Sequence, residues 1–194
     1  ITWIPLYIAL LLLVIKNNES MAQIVIFTSC AIGCVLLSTI AADFIAKPLV
    51  ERWRPSSDPL IKYAVDVVDD YRPGKYGFFS AHAANTFSLA LYFSLWVKNR
   101  LFSFAMISWS LLNCYSRIYL GAHYPSDVVV GLLVGAVIAV LFYLLSRKLF
   151  FKISSNFNYV STQYSATGYS VTDIDMVLTV IGFLYILIII IPLL

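Results

Sequence analysis

Six long apolar segments constrain the fold of this chain more than any other feature of its sequence. Most of them approach the roughly 20 apolar residues that an α-helix needs to cross the hydrocarbon core of a bilayer. Because irregular backbone and open sheet edges cannot face lipid, continuous apolar segments of this kind predict an all-α fold, a polytopic transmembrane helical bundle. The predicted spans are residues 1–15, 21–45, 79–97, 101–119, 126–145 and 176–194.

Composition also indicates that the bilayer is the solvent of this chain. Of its 194 residues, 61% are apolar and 12% are charged, whereas soluble domains usually carry about 25% charged residues. A single core of this size cannot hide so much apolar surface, which argues against an ordinary cytosolic enzyme. The net charge of +3 gives no support for a nucleic-acid partner.

Small residues inside the predicted spans are interpreted as packing residues. Cys30, Cys34 and Cys114 lie in apolar runs and lack the spacing of metal ligands. Gly131 and Gly135 form a G-x-x-x-G pattern in the fifth span, which serves either close packing within the bundle or a dimer face. We favour packing within the bundle.

The chain is predicted to divide into three parts. Residues 1–152 form the membrane core, with a long loop at residues 46–78. Residues 153–173 form a polar connector, and residues 174–194 form an additional C-terminal membrane helix. Because Ile1 opens directly into an apolar run, we expect this chain to begin within a longer protein.

The connections between the spans predict an orientation. The short connections carry almost only basic residues, and the positive-inside rule places such connections in the cytoplasm. Alternation of the six spans then turns the long loop, and the turn between the fourth and fifth spans, outward. We therefore predict an integral protein of the bacterial inner membrane whose functional face is the outer, periplasmic one.

The two histidines of the chain, His82 and His123, both fall where a predicted helix meets that outward face. Ionisable groups at such depth are costly and are usually functional. Ser80 and Ala81 precede His82 at a helix start, where unpaired backbone N–H groups bind anions such as phosphate. The alternative is that Ser80 only caps the helix.

A second cluster surrounds the other histidine. Asp127 follows His123 by four residues, a spacing at which a carboxylate can fix one imidazole nitrogen and leave the other as a nucleophile or base. Arg117 lies six residues before His123 and can point into the same helix mouth. The alternative for Arg117 is that its side chain extends to the membrane interface.

A third cluster lies at the start of the long loop. Lys47 supplies a mobile point charge and Arg54 a planar fork, and the two form a complementary pair for a phosphate group. The alternative is interfacial anchoring beside Trp53, and Arg52 fits that alternative better than a phosphate role.

Together, Lys47-x6-Arg54-Pro55, Ser80-Ala81-His82 and Ser116-Arg117-x5-His123-x3-Asp127 resemble the three-part signature of the type 2 phosphatidic acid phosphatase superfamily. The first and third parts fit that signature in residue type and spacing. The middle part departs from it, because Phe79 and Ala81 replace the usual Pro and Gly of Pro-Ser-Gly-His. Ala81 keeps its N–H, so the departure affects the shape of the pocket and the rate more than the type of reaction. The resemblance covers residues 43–145.

The resemblance implies a role for each motif residue. His123 would attack phosphorus and form a phosphohistidine, and Asp127 would orient His123. His82 would protonate the leaving oxygen and then activate water. The phosphoryl oxygens would be held by Lys47, Arg54, Ser80, Ala81 and Arg117. We expect no cofactor and no metal, because no cluster of carboxylates and histidines has the spacing of metal ligands.

The family fold implied by the resemblance is an α-helical bundle with a six-helix core. Fewer spans than expected precede the first motif, so we expect the first helix of that core to be missing from this chain. The last predicted helix would be an addition to the core. It is nearly free of polar groups, which favours a packing or anchoring role over partner binding.

The function implied is that of an integral membrane phosphatase acting on the phosphomonoester or diphosphate headgroup of a lipid. The sequence does not choose among polyprenyl diphosphates, phosphatidate, phosphatidylglycerophosphate and lipid A phosphates, and it predicts no oligomeric state. Alternatives are a small-molecule phosphatase of the glucose-6-phosphatase type, a vanadium haloperoxidase, and a non-catalytic membrane scaffold or transporter. Membrane-spanning composition argues against the haloperoxidase, and the complete set of motif residues argues against the scaffold.

Five aromatic residues near the motifs allow two interpretations. They either line the path of a lipid headgroup or belong to an ordinary interfacial belt. These residues are Tyr71, Tyr76, Phe78, Phe79 and Tyr124.

Overall fold

The computed structural model describes residues 2–65, 67–68, 71–153 and 163–190. These residues form an all-helical fold with two isolated β-bridges. The predicted all-α fold class is confirmed. The helices are α1 (Ile4–Lys16), α2 (Met21–Thr39), a π-helical segment (Ile40–Ala46), α3 (Lys47–Val50), α4 (Ala81–Val97), α5 (Arg100–Tyr119), α6 (Pro125–Ile153) and α7 (Val171–Ile190).

Several boundaries differ from the prediction. The second predicted span ends at residue 45, but helical backbone continues through the π-helical segment and α3 to Val50. Lys47 therefore lies on a helix and not in the loop. The helix α6 extends to Ile153 and α7 begins at Val171, so both are longer toward the connector than predicted. Residues 154–162 of the predicted connector and residues 191–194 of the last predicted span lie outside the described residues.

Three helical segments are long and apolar enough to cross a membrane. They are Met21–Val50, Pro125–Ile153 and Val171–Ile190, and the shorter α1 is also apolar. On α6, Val129, Leu133 and Val137 are exposed at successive turns. Water would disfavour such an apolar stripe, whereas lipid accommodates it. The prediction of an integral membrane protein is confirmed.

The described chain contains two compact units. The first comprises Ile1–Cys30, Phe93–Met106 and Tyr143–Leu194. In this unit α7 packs along α1, and the Lys16 ammonium lies 2.9 Å from the Asp173 carboxylate at the end of this contact.

The second unit, Ala31–Tyr92 and Ile107–Phe142, contains all three motifs. In this unit α6 packs closely against α4. A Cβ atom on Gly131 would lie 2.7 Å from the Ser80 carbonyl oxygen, and one on Gly135 would lie 2.7 Å from the Ala84 carbonyl oxygen. Only residues without a side chain permit this approach, so the interpretation of G-x-x-x-G as close packing within the bundle is confirmed. The approach brings the beginning of α4 against the beginning of α6.

Candidate active site

A cavity of about 290 Å³ lies in the second unit, where the ends of α3, α4 and α5 meet the loop that follows α3 and the turn before α6. It brings together six residues that the sequence singles out from three distant parts of the chain. These residues are Lys47, Arg54, Ala81, His82, Arg117 and His123. Ser80 and Asp127 do not belong to the lining and lie buried behind it.

The imidazole of His123 is 3% exposed and has two distinct sides. Its Nε2 atom lies 3.1 Å from Nη1 of Arg54. Because a guanidinium only donates hydrogen bonds, Nε2 acts as the acceptor and carries no proton. The proton of the neutral ring is therefore on Nδ1, which lies 3.8 Å from Oδ2 of Asp127. That distance is too long for a hydrogen bond but allows electrostatic attraction.

Burial lowers the pKa of His123 below its ordinary value of 6.5, because the apolar surroundings disfavour the charged ring. The nearby Asp127 carboxylate opposes this effect, and the positive charge of Arg54 adds to it. The balance favours a neutral imidazole whose unprotonated Nε2 is on the side of Arg54.

The carboxylate of Asp127 is completely buried and is held from two directions. Nη1 of Arg52 lies 2.7 Å from Oδ1, and the Tyr124 backbone N–H donates to Oδ2 over 3.1 Å. Arg52 also donates to the Ser126 hydroxyl over 2.8 Å, and its guanidinium lies 4.3 Å from the centre of the Tyr124 ring. A buried carboxylate requires such a partner, since an unpaired charge is costly in a low-dielectric environment.

The sequence pattern favours Arg52 as an interfacial anchor and does not predict its contact with Asp127. The alternation of side chains along this segment in the structure explains the position of Arg52. Trp53 pairs with Tyr76 as an isolated antiparallel bridge. In extended backbone, residues two apart face the same side. Arg52 therefore shares a side with Arg54, which indicates that it belongs to the site.

The loop after α3 fixes Arg54 by backbone contacts. The Arg54 N–H donates to the Lys75 carbonyl over 3.0 Å, and the Gly77 N–H donates to the Arg52 carbonyl over 2.9 Å. The guanidinium itself donates to the carbonyl oxygens of Tyr76 and Ala122 over 3.0 and 3.1 Å. These bonds orient the fork of Arg54 before any ligand binds.

Ser80 caps α4 and is not open to the cavity. Its hydroxyl accepts a long hydrogen bond of 3.4 Å from the Ala83 N–H, and its own N–H donates to the Asp127 carbonyl oxygen over 3.1 Å. The expectation of an unpaired Ser80 N–H is therefore wrong. Ala81, the first residue of α4, does line the cavity, and among the described residues its N–H has no backbone partner. His82, one residue further, is exposed toward the cavity.

Lys47 forms an ion pair with Asp43, which also lines the cavity. The two residues are four apart, and the π-helical segment between α2 and α3 continues the helix far enough to place both on the cavity side. Short π-helical segments are frequent at functional sites. None of the three sequence motifs includes Asp43.

Of the five aromatic residues considered for a headgroup path, Tyr71 lines the cavity. Tyr76 packs edge-on against Trp53, and Phe78 and Phe79 belong to a buried apolar cluster at the start of α4. The ring of Tyr124 lies beneath the guanidinium of Arg52, and none of these last four residues lines the cavity. Among the described residues, no group of three or more His, Cys, Asp and Glu side chains could hold a metal ion.

Comparison with known proteins places this site in a family. The model of the PAP2 superfamily matches residues 26–151, which include every motif. No solved structure matches the chain significantly.

Among curated relatives, the lipid A 4′-phosphatase of Bacteroides thetaiotaomicron is 33% identical over 157 residues, which cover 80% of this chain and 69% of the relative. The lipid A 4′-phosphatase of Porphyromonas gingivalis is 36% identical over 141 residues, covering 71% of this chain and 58% of the relative. The sphingosine-1-phosphate phosphatase 1 of Rattus norvegicus is 33% identical over 94 residues, covering 47% and 22%.

These relatives are phosphatases of lipid phosphates, so the predicted class of function is confirmed at the level of the family. The resemblance seen in the three motifs is confirmed as well, and the chain belongs to the PAP2 superfamily.

Proposed function

We propose that this chain hydrolyses the phosphomonoester of a membrane lipid through a phosphohistidine intermediate on His123. The observation that carries the proposal is the 3.1 Å contact between Nε2 of His123 and the fixed guanidinium of Arg54, in which Nε2 serves as the acceptor. A nucleophile and a phosphate-binding fork thus share one cavity. The names of the relatives support a lipid as the substrate.

In the first step, phosphoryl oxygens take over the N–H groups of Arg54, which frees the lone pair on Nε2 of His123. Nε2 then forms a bond to phosphorus while the bond from phosphorus to the ester oxygen breaks. His82 gives its proton to that oxygen, so the lipid leaves as an alcohol. Asp127 stabilises the positive charge that develops on the imidazole of His123.

In the second step, water attacks the phosphohistidine. His82, now neutral, accepts a proton from the water as its oxygen bonds to phosphorus and the bond to Nε2 breaks. Phosphate leaves, and both histidines return to their starting states. Throughout both steps Lys47, Arg54, Arg117 and the N–H of Ala81 stabilise the charge on the phosphoryl oxygens, which is the main catalytic requirement of phosphoryl transfer.

The active face would be the periplasmic side of a bacterial inner membrane. Two arguments support this orientation: the short basic connections favour the cytoplasm, and the long loop that carries Arg54 lies on the opposite side by alternation. The orientation is tested with Lys75→Cys, an exposed position, by labelling intact cells with a membrane-impermeant maleimide beside the unaltered chain, whose three cysteines are buried. Rapid labelling supports a periplasmic loop, and labelling only after cell lysis contradicts it.

Phosphate release by the detergent-purified chain tests the function. We expect release from a lipid phosphomonoester such as lipid A 4′-phosphate, phosphatidate or sphingosine-1-phosphate, undiminished by EDTA, and little release from glucose 6-phosphate. Comparable release from glucose 6-phosphate would favour the small-molecule alternative. Activity lost with EDTA and restored by a divalent cation would contradict the metal-independent mechanism.

The pH dependence of kcat/KM is expected to be bell-shaped. His123 must be neutral to attack, and burial lowers its pKa below 6.5. The rate should therefore rise with pH through a midpoint below that value. It should fall again at higher pH, as His82 loses the proton that it gives to the leaving oxygen. A profile that is flat between pH 4 and 9 would contradict this assignment of acid and nucleophile.

A further inference from the structure

A second cavity, of about 190 Å³, lies within the first unit. It is formed where the connection between α1 and α2, the end of α4 and the turn before α7 meet the second half of α6. This accessory cavity shares no lining residue with the cavity of the candidate active site, so the proposed hydrolysis gives it no role. Its lining includes the polar and aromatic side chains of Gln23, Trp96, Lys98, Tyr143, Arg147 and Phe151.

Gln23 is 2% exposed, and the two ends of its side-chain amide differ in their contacts. The oxygen Oε1 accepts the backbone N–H groups of Glu19 and Ser20 over 3.0 and 3.1 Å, and the Ser20 hydroxyl accepts the Gln23 N–H over 3.3 Å. This capping box at the start of α2 identifies the oxygen, because only an acceptor can meet two N–H groups. The NH2 group has no acceptor in the described part of the chain. A buried donor without a partner is costly, which indicates that a ligand supplies the acceptor.

Three more side chains of the lining have unused donors. The Tyr143 hydroxyl and the Arg147 guanidinium lie about one turn apart on α6, and Lys98 directly follows α4. None of these three side chains donates a hydrogen bond to, or forms an ion pair with, a described residue. Arg147 lies instead over the Phe151 ring, 5.6 Å from its centre. Because all of these unused groups can donate and the two cations cannot accept, the matching ligand is an anion with several acceptor oxygens.

The charges of the lining limit the class of anion. Lys98 and Arg147 contribute two positive charges and Glu19 contributes one negative charge, which leaves a net charge of +1. A phosphodiester carries a single negative charge and matches this balance. A phosphomonoester carries about −1.5 to −2 at pH 7, which exceeds it.

The accessory cavity also has an aromatic wall beside a lipid-exposed surface. The Trp96 indole N–H donates to the Ser146 hydroxyl over 3.0 Å, so the ring of Trp96 offers the cavity an apolar face. Leu144 and Phe151 are exposed on the same side of α6 as Arg147, at helical spacings of three and four residues. A ligand with acyl chains can lay them along this side of the helix while its phosphate meets the donors. Basic pockets between membrane helices are typical sites for anionic headgroups.

We propose that the accessory cavity binds the phosphodiester headgroup of an anionic phospholipid, such as phosphatidylglycerol, as a ligand that is not hydrolysed. Lys98 and Arg147 balance its charge, and Gln23 and Tyr143 donate to its oxygens. In the orientation proposed above, the connections around this cavity face the cytoplasm, so the lipid comes from the inner leaflet. The binding itself depends neither on that orientation nor on the proposed hydrolysis.

Titration of the detergent-purified chain with phosphatidylglycerol, followed by native mass spectrometry, gives the Kd of the first bound lipid. We expect this Kd to be about 10-fold or more lower than that of phosphatidylcholine with the same acyl chains, because the choline ammonium cancels the charge that the two cations require. Inorganic phosphate at millimolar concentration should not displace the lipid. Displacement by phosphate would assign the cavity to a free anion and overturn the lipid assignment.

Two variants and a matched control test the lining. Gln23→Glu keeps the acceptor of the capping box, whose two N–H donors hold the new carboxylate ionised, but it replaces the unused donors with a negative charge. Arg147→Gln removes the guanidinium. Each should weaken binding of phosphatidylglycerol about 10-fold or more, as expected for loss of a charged hydrogen-bonding group. Lys148→Gln removes the next cation of α6, which is exposed and outside the lining, and should bind the lipid like the unaltered chain.

Three results would overturn the site. They are an equal Kd for the two phospholipids in the unaltered chain, an unchanged Kd for phosphatidylglycerol in both Gln23→Glu and Arg147→Gln, and an equal loss in Lys148→Gln, which would show general attraction to a basic surface. The comparison of the two lipids uses the unaltered chain, so it remains decisive even if a variant fails to fold. A chain that releases no phosphate from any substrate still tests this site, because the readout is lipid binding.

Discussion

Replacement of His123 with alanine is expected to lower kcat by about 10⁴-fold or more, which is the scale of loss when a covalent nucleophile is removed. The remaining cations of the cavity would still bind phosphate, so KM should change much less than kcat. Phosphate release from the preferred lipid, measured beside the unaltered chain, provides the comparison.

Trapping of the intermediate gives a more specific test of the same histidine. With a ³²P-labelled substrate and rapid quenching, the unaltered chain should acquire an acid-labile, base-stable label typical of a phosphorylated imidazole. His82→Gln is the matched control, because it keeps the nucleophile and impairs only proton transfer, so it should still label. His123→Ala should not label. Labelling of His123→Ala, or release within 10-fold of the unaltered chain, would contradict the mechanism.

The helices and the motifs could be predicted from the sequence because each leaves a local signal. Continuous apolar runs define α2, α6 and α7, and a membrane excludes other folds for such runs. The G-x-x-x-G pattern likewise predicts its own role, since small residues at helical spacing let two helices approach closely. The motifs also predict that His82, His123 and Arg54 lie together, and all three line one cavity.

Features that depend on tertiary contacts could not be predicted. Arg52 and Asp127 are 75 residues apart in sequence, and they meet only because the loop folds back beside Tyr76. The Ser80 N–H bonds to Asp127 only because α4 and α6 approach closely at Gly131. The sequence predicts a loop at Lys47, because it has no recognisable signal for the π-helical segment before that residue.

The contact between Arg52 and Asp127 has a measurable consequence for catalysis. Arg52 fixes one carboxylate oxygen of Asp127 and offsets its negative charge. Without this partner the carboxylate keeps its hydrogen bond from the Tyr124 N–H but loses its second anchor, and a small misplacement of a catalytic group can cost about 100-fold in rate. We therefore expect Arg52→Ala to lower kcat/KM by about 10- to 100-fold. Steady-state kinetics on the preferred lipid at the pH optimum measure this loss.

The pH profile separates positioning by Arg52 from a merely structural role. Loss of the guanidinium leaves the negative charge of Asp127 uncompensated near His123, which stabilises the imidazolium and raises the pKa of His123. The acidic limb of kcat/KM should therefore move to higher pH in Arg52→Ala. Arg52→Lys keeps the charge without the fork, so it should restore the limb and recover only part of the rate.

Lys62→Ala is the matched control for Arg52→Ala, because it removes another cation of the same loop. The Lys62 ammonium lies 4.8 Å from the centre of the Tyr63 ring and does not contact Asp127. It should leave both the rate and the acidic limb unchanged. If Arg52→Ala lost activity with an unmoved acidic limb, the residue would serve only to hold the loop. If instead the acidic limb moves and Arg52→Lys reverses the shift, Arg52 tunes the nucleophile through Asp127. Arg52 would then contribute to catalysis although it is not a specified residue of any motif.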